Sequence, residues 1–214
     1  WSSGAVMPAS DLKRLLGEIA GCRVCVEAPH GAPLPHQPRP VLRVSTTARI
    51  AVFSQAPGAR VHASGMPFTD PSGDRLRDWM GVSSAEFYDV RRIAILPMGL
   101  CFPGYDAKGA DLPPRRECAP LWRQRVLAQV GGLQLALLVG QYAQRWHLGR
   151  DAPAGLTRTV AAWREILARP GPPRLLPLPH PSWRNTGWLK ANPWFAEDLL
   201  PVLKSEVRRL LDAA

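Results

Sequence analysis

The chain has 214 residues, enough for one α/β domain with a sizeable core. No apolar run reaches about eighteen residues, which excludes a membrane-spanning helix, and no secretory signal is visible, so a cytoplasmic, monomeric protein is expected. Twenty-seven basic against seventeen acidic residues give a formal charge of +10, which favours a polyanionic partner because each neutralised phosphate releases a counterion.

In chain order, residues 1–10 are expected to be flexible or a remnant foreign to the domain, although Ser10 can cap a helix reaching about Ala20 with Leu12, Leu15, Leu16 and Ile19 on one face. The prolines between Pro29 and Pro40 read as a loop. Arg49–Phe53 is a buried strand that runs into the turn Gln55-Ala56-Pro57-Gly58, followed by a polar loop with Phe68 two residues before Asp70. Ser72-Gly73 is read as the start of a short helix carrying Leu76, Trp79 and Met80. Arg91–Leu96 is a second strand, Pro114 to about Val130 a helix, and Leu133–Val139 a third strand ending at Gly140-Gln141. Helices are predicted over Gln141–Leu148 and Thr157–Ala168, and a fourth strand over Arg174–Leu178 leads into Pro179-His180-Pro181-Ser182. Asn192-Pro193 is a good N-cap and N1 pair for a final helix to about Leu211.

Strands alternating with helices predict a single three-layer α/β/α domain over residues 1–214 with a central four-stranded parallel sheet. Four loops, 54–70, 97–106, 140–142 and 179–190, then meet at the carboxyl edge of the sheet, where open α/β sheets bind ligands. The four cysteines are Cys22 and Cys25, in a CxxC pair, Cys101 and Cys118. With no secretion signal, disulfides are disfavoured, and the ligand count suits zinc and an iron–sulfur cluster equally.

The turn after the first strand and the Leu178-Pro179-His180-Pro181-Ser182 segment together carry a resemblance. The chain resembles the uracil-DNA glycosylase superfamily, whose first motif is G-[EQLIM]-[ADN]-P-[GYA] and whose second is of HPS type. It is most similar to the iron–sulfur branch, family 4, whose first motif reads GEAPG…GxPFVG. Here it reads Ser54-Gln55-Ala56-Pro57-Gly58…Gly65-Met66-Pro67-Phe68-Thr69-Asp70. The resemblance runs from about Leu12 to the end. It implies a [4Fe-4S] cluster held by Cys22, Cys25, Cys101 and Cys118, with zinc as the alternative. It also implies a base-excision-repair hydrolase that flips uracil, and other deaminated bases, out of single- or double-stranded DNA. The rival function is a non-catalytic member of the fold that binds damaged or single-stranded DNA.

Cleaving a base from its sugar leaves negative charge on the base and positive charge on the sugar. Preorganised donors suit the first and a carboxylate with bound water the second. The resemblance implies that His180 donates to the leaving base and that Phe68 stacks on it. The resemblance also implies that the loop of Ser182, Trp183 and Arg184 contacts DNA, with Trp183 and Arg184 entering the minor groove as an apolar and basic wedge. Gln55, Ala56 and Gly58 are expected to line the base pocket.

Two departures matter. Families 1 and 4 place an acid at the positions of Ala56 and Gln55 respectively, and an amide cannot act as a general base. Asp70, in a loop where family 5 also carries an acid, is therefore expected as the catalytic carboxylate, with Gln55 orienting. The iron–sulfur enzymes read uracil with an Asn four residues before the third cysteine; that position is Pro97, so the backbone groups of Met98 and Gly99 are expected to substitute. His62 is read as a surface residue, and His30, His36 and His147 as unremarkable.

Overall fold

The computed structural model describes residues 9–213. The expectation for residues 1–8 lies outside it, while Ala9 and Ser10 already belong to the first helix, α1 (Ala9–Ala20). A short α2 (Val24–Glu27) follows. The sheet is built from β1 (Ile50–Phe53), β2 (Ile93–Ile95), β3 (Leu135–Val139) and β4 (Arg174–Leu178). All three pairings are parallel and the strand order is β2-β1-β3-β4. The predicted α/β/α architecture is what forms.

Period-two alternation sends each strand's side chains to two cores. Ala51, Phe53, Ala94, Ala136 and Leu138 join one cluster with α1, α6 (Cys118–Gln129) and α7 (Gln141–Leu148). Ile50, Val52, Ile95, Leu137 and Leu176 join the other, with α4 (Pro71–Met80), α9 (Trp163–Leu167) and α11 (Leu200–Asp212). Every residue of β1 and β3 is buried, as both faces of a covered parallel sheet require. The chain moves outward from β1 to β2 and then back across to β3. The direction of winding therefore reverses at β1, and the crevice beyond the ends of β1 and β3 is the expected ligand position. Among the described residues no helix is long and apolar enough to cross a membrane.

Several boundaries differ from expectation. The polar loop after the first motif contains α3 (Ala59–Ser64). The next helix starts at Pro71, not at Ser72-Gly73: Asp70 caps it, its side chain accepting from the Gly73 N–H, with Pro71 at N1. A further short helix, α5 (Ser84–Tyr88), is set by a reciprocal Ser83–Glu86 capping box. The segment from Pro114 is not helical until Cys118. The predicted Thr157–Ala168 helix is broken at Ala162 into α8 (Leu156–Ala161) and α9. Asn192-Pro193 does not cap the last helix; a π-helical turn, Phe195–Leu199, leads into α11 instead. Ahead of it, the second-motif loop carries α10 (Thr186–Ala191).

One local device shapes the first loop. Among the described residues Phe68 is the non-glycine residue with positive φ, 57°, a left-handed conformation that costs a bulky residue strain. Its carbonyl is held there by the Tyr88 hydroxyl at 3.0 Å and Arg77 at 3.1 Å. The same carbonyl packs on Gly73, where a Cβ would meet it at 1.8 Å. Gly73→Ala therefore either expels the Phe68 carbonyl or tilts α4. We expect a loss of about 2–3 kcal/mol, read as a lower denaturant midpoint. An unchanged midpoint would show that the loop gives way freely.

Candidate active site at the sheet edge

The loops beyond β1, β2 and β4 enclose a cavity of about 580 Å³, within the range of small-ligand sites. Gln55, Ala56, Pro57 and Gly58 form one wall; Phe68, Asp70 and Pro71 a second; His180, Ser182, Trp183 and Arg184 a third. Two loops that are distant in sequence thus face each other as the strand pattern implied.

The first-motif wall is fixed by backbone hydrogen bonds beyond the sheet. Met98 N–H donates to the Ser54 carbonyl and Gly99 N–H to the Gln55 carbonyl, both at 2.9 Å. This corrects the role given to Met98 and Gly99: their N–H groups are already committed, and neither residue lines the cavity. Pro97 does line it, without a side-chain donor or an N–H to offer.

His180 stands in the opposite wall. Its Nδ1 accepts the Ser182 N–H at 3.3 Å, which leaves the proton of the neutral ring on Nε2. The Asn185 amide donates to its carbonyl at 2.7 Å, and Arg75 donates to the Ser182 carbonyl at 3.1 Å, so the turn is tied at both ends. Desolvation lowers the His180 pKa, and the Asp70 carboxylate opposes that shift through space. Asp70 and His180 line the same cavity. One Asp70 oxygen is occupied by the Gly73 N–H at 3.1 Å.

Phe68 presents its buried ring to the cavity and packs edge-on against Phe87, centroids 5.9 Å apart. Trp183 is 76% exposed, with the Arg184 guanidinium 5.8 Å from its ring centre. Trp188 and Trp194 are instead packed together with Phe195. Asp111 and Arg60 also line the cavity. The sequence analysis assigned neither, and no local motif signals them.

The model of the uracil DNA glycosylase superfamily matches residues 43–204, more than half of the chain. The chain belongs to that superfamily. The match takes in both cavity-forming motifs and starts after the N-terminal CxxC pair.

On the other side of the first-motif wall lies a small, almost wholly apolar cavity lined by Cys22, Cys25, Cys101 and Cys118 together with Leu100, Trp122 and Gly99. The four predicted cysteines are therefore brought together from the turn after α1 (Cys22), α2 (Cys25), the loop after β2 and the start of α6, although no group of three or more His, Cys, Asp or Glu among the described residues is drawn in tightly enough to clasp one metal ion. Two sulfurs accept hydrogen bonds, Cys118 from the Leu100 N–H at 3.3 Å and Cys22 from the Trp122 indole at 3.4 Å. Burial pushes the Cys25 thiol up to about 11 and those of Cys101 and Cys118 up to about 12.

Three histidines passed over in the sequence prove structural. His36, His62 and Phe102 form one ring cluster, with the two imidazole centroids 4.3 Å apart. His147 stacks on Phe53 at 4.5 Å and takes a hydrogen bond from Arg123 at 3.0 Å. Burial, helped by Arg123, drives its pKa down to about 2; His62 and His180 are shifted in the same direction, chiefly by desolvation. His147 therefore stays neutral in the folded protein and takes up a proton on unfolding below about pH 6.5, and the lowered His62 and His180 act in the same direction. Stability should therefore be full above that pH and fall as pH drops below it, by up to about 1.4 kcal/mol per unit from His147. Urea midpoints at pH 7.5, 6.5 and 5.5 test this. A flat profile over that window, or one that His147→Gln leaves as steep, would contradict the burial assignment.

Proposed function

We propose that the protein is a monofunctional DNA glycosylase that hydrolyses the N-glycosidic bond of uracil, and of other deaminated bases, after flipping the nucleotide from DNA. The observation that carries this reading is the pairing of His180, with its proton on Nε2, and Asp70 across one cavity with room for a flipped nucleotide. A flipped base enters beside Phe68, whose ring offers a stacking surface worth roughly 1–3 kcal/mol. His180 Nε2–H donates to the base oxygen where negative charge grows. Asp70 stabilises the cationic sugar and orients water, and the Gln55 amide adds an orienting hydrogen bond. Trp183 and Arg184, beside Ser182, fill the place left in the stack, and the +10 charge draws the phosphate backbone. With Pro97 in place of an amide reader, little in the pocket penalises a base lacking the uracil edge, which supports breadth of substrate.

The same reading gives Cys22, Cys25, Cys101 and Cys118 an iron–sulfur cluster. Four thiols around one cavity, two of them accepting N–H donors and with the Arg115–Glu117 ion pair also in the lining, support a thiolate-ligated centre. Bound there, the cluster would supply structural cross-linking between α2, the loop after β2 and α6. Zinc remains the alternative for the same thiols.

Single-turnover excision from oligonucleotides carrying uracil, hypoxanthine or xanthine tests the activity. His180→Ala and Asp70→Asn should each slow it by roughly a hundredfold or more, and Gln55→Ala by less. Binding to such DNA with no excision of any base would favour the non-catalytic rival. For the cluster, protein purified without oxygen should be brown and contain iron and sulfide, and Cys101→Ala should lose both. Stoichiometric zinc in a colourless protein would overturn it.

A further inference from the structure

Neither acid position of the first motif carries an acid, yet two carboxylates line the cavity. Asp70 has one oxygen bound to the Gly73 N–H as a helix cap. The other carboxylate, Asp111, comes from the loop between Cys101 and Cys118. Its Oδ2 lies 3.7 Å from where a side chain on Gly58 would begin. A carboxylate delivered from a distant loop thus stands against the first-motif turn itself, in space that glycine leaves open.

The segment that delivers it is well held. Tyr105 and Asp111 form an antiparallel bridge. Asp106 closes the turn between them, accepting from the Lys108 N–H at 2.8 Å and the Ala110 N–H at 2.9 Å. The Leu112 N–H donates to the Gly104 carbonyl at 2.9 Å. Gly104, with φ of 95°, lies against Pro35 and Leu112. The bridge therefore presents a functional group on a short rigid hairpin, not on a free loop.

We propose that Asp111 is a second catalytic carboxylate of this site, the one that accepts the proton of the attacking water. The proposal rests on the glycosylase reading above. In the step, the bond between C1′ and the base nitrogen breaks and its electron pair leaves with the base, where the anion is held by His180 Nε2–H. The water oxygen bonds to C1′ and one of its protons passes to Asp111. The base then takes its proton from solvent. Asp70, fixed by its capping bond, faces the sugar cation; Asp111 supplies the basicity that Gln55 and Ala56 lack.

The electrostatics agree. Although Asp111 stands on the exposed rim, desolvation by the cavity walls raises its carboxyl pKa; Asp70 adds to the rise and Arg184 opposes it. The charged and titratable groups lining the same cavity are Arg60, Asp70, His180 and Arg184. A carboxylate of raised pKa is a better base toward water than an ordinary one.

The test is the pH dependence of single-turnover excision from uracil-containing single-stranded DNA by the full chain. Wild type should lose activity as pH falls through the Asp111 titration. Asp111→Asn should slow the reaction roughly a hundredfold at neutral pH and abolish that acid limb, with thermal midpoint and binding of a non-cleavable 2′-fluoro substrate unchanged. Asp70→Asn should also be slow but keep the limb, and Asp111→Glu should restore part of the rate. Excision by Asp111→Asn within twofold of wild type, or a slow variant that keeps the acid limb, would overturn the proposal while leaving the glycosylase reading standing. A wild type inactive on uracil, hypoxanthine and xanthine would remove both.

Discussion

Two backbone hydrogen bonds beyond the end of the sheet hold the rest of the structure in place: Met98 N–H to the Ser54 carbonyl and Gly99 N–H to the Gln55 carbonyl. They extend the pairing of β1 and β2 into the loops that follow, so the first-motif turn cannot drift from the segment leading to Cys101. Gln55 and Ala56 face the large cavity on one side of this seam, and Gly99, Leu100 and Cys101 face the thiol cavity on the other. A backbone seam of this kind satisfies groups that would otherwise be buried and unpaired.

Beneath the seam lies an unusual buried cation. Arg123 is 2% exposed and donates to the Leu96 and Pro97 carbonyls at 3.3 and 3.2 Å. Its guanidinium also sits 4.4 Å from the Phe53 ring centre. Desolvation lowers its pKa to about 9, so it remains charged at neutral pH. Burying a charge is costly unless its hydrogen bonds are met. Here carbonyls, an imidazole and an aromatic face meet them. In return the guanidinium ties α6, which begins at Cys118, to the end of β2 and to the floor of the cavity. Thiol cavity and sheet-edge cavity are thus two faces of one rigid wall.

The thiols and the site also share the loop between Cys101 and Cys118. Its two ends line the thiol cavity and its middle carries Asp111 to the rim of the other. The bridge at Tyr105 and Asp111 lies midway along this loop and joins its two halves.

How much of this was legible in the residues follows from the range of the forces involved. Strand runs such as Ile50–Phe53 and Leu135–Val139, the alternation with helices, and the motif turns around Gln55 and His180 are local patterns. They gave the parallel sheet, the edge where loops meet, and several of the residues that line the cavity, among them Gln55, Phe68, Asp70 and His180. Helix limits went astray where capping competed: Asp70 with Pro71 outbid Ser72-Gly73, and Ser83 with Glu86 made a helix unseen in the pattern. The roles of Met98 and Gly99 failed because only pairing across strands reveals that a backbone N–H is already taken. The buried histidines, the guanidinium under Phe53 and the arrival of Asp111 beside Gly58 were invisible for the same reason. Sequence alone determined which segments become strands, helices and rigid turns, since those depend on neighbours a few residues away. Which side chains share a cavity, and which of their polar atoms are still free to do chemistry, was decided only by tertiary packing, because burial and partnership are set by residues far apart in the chain.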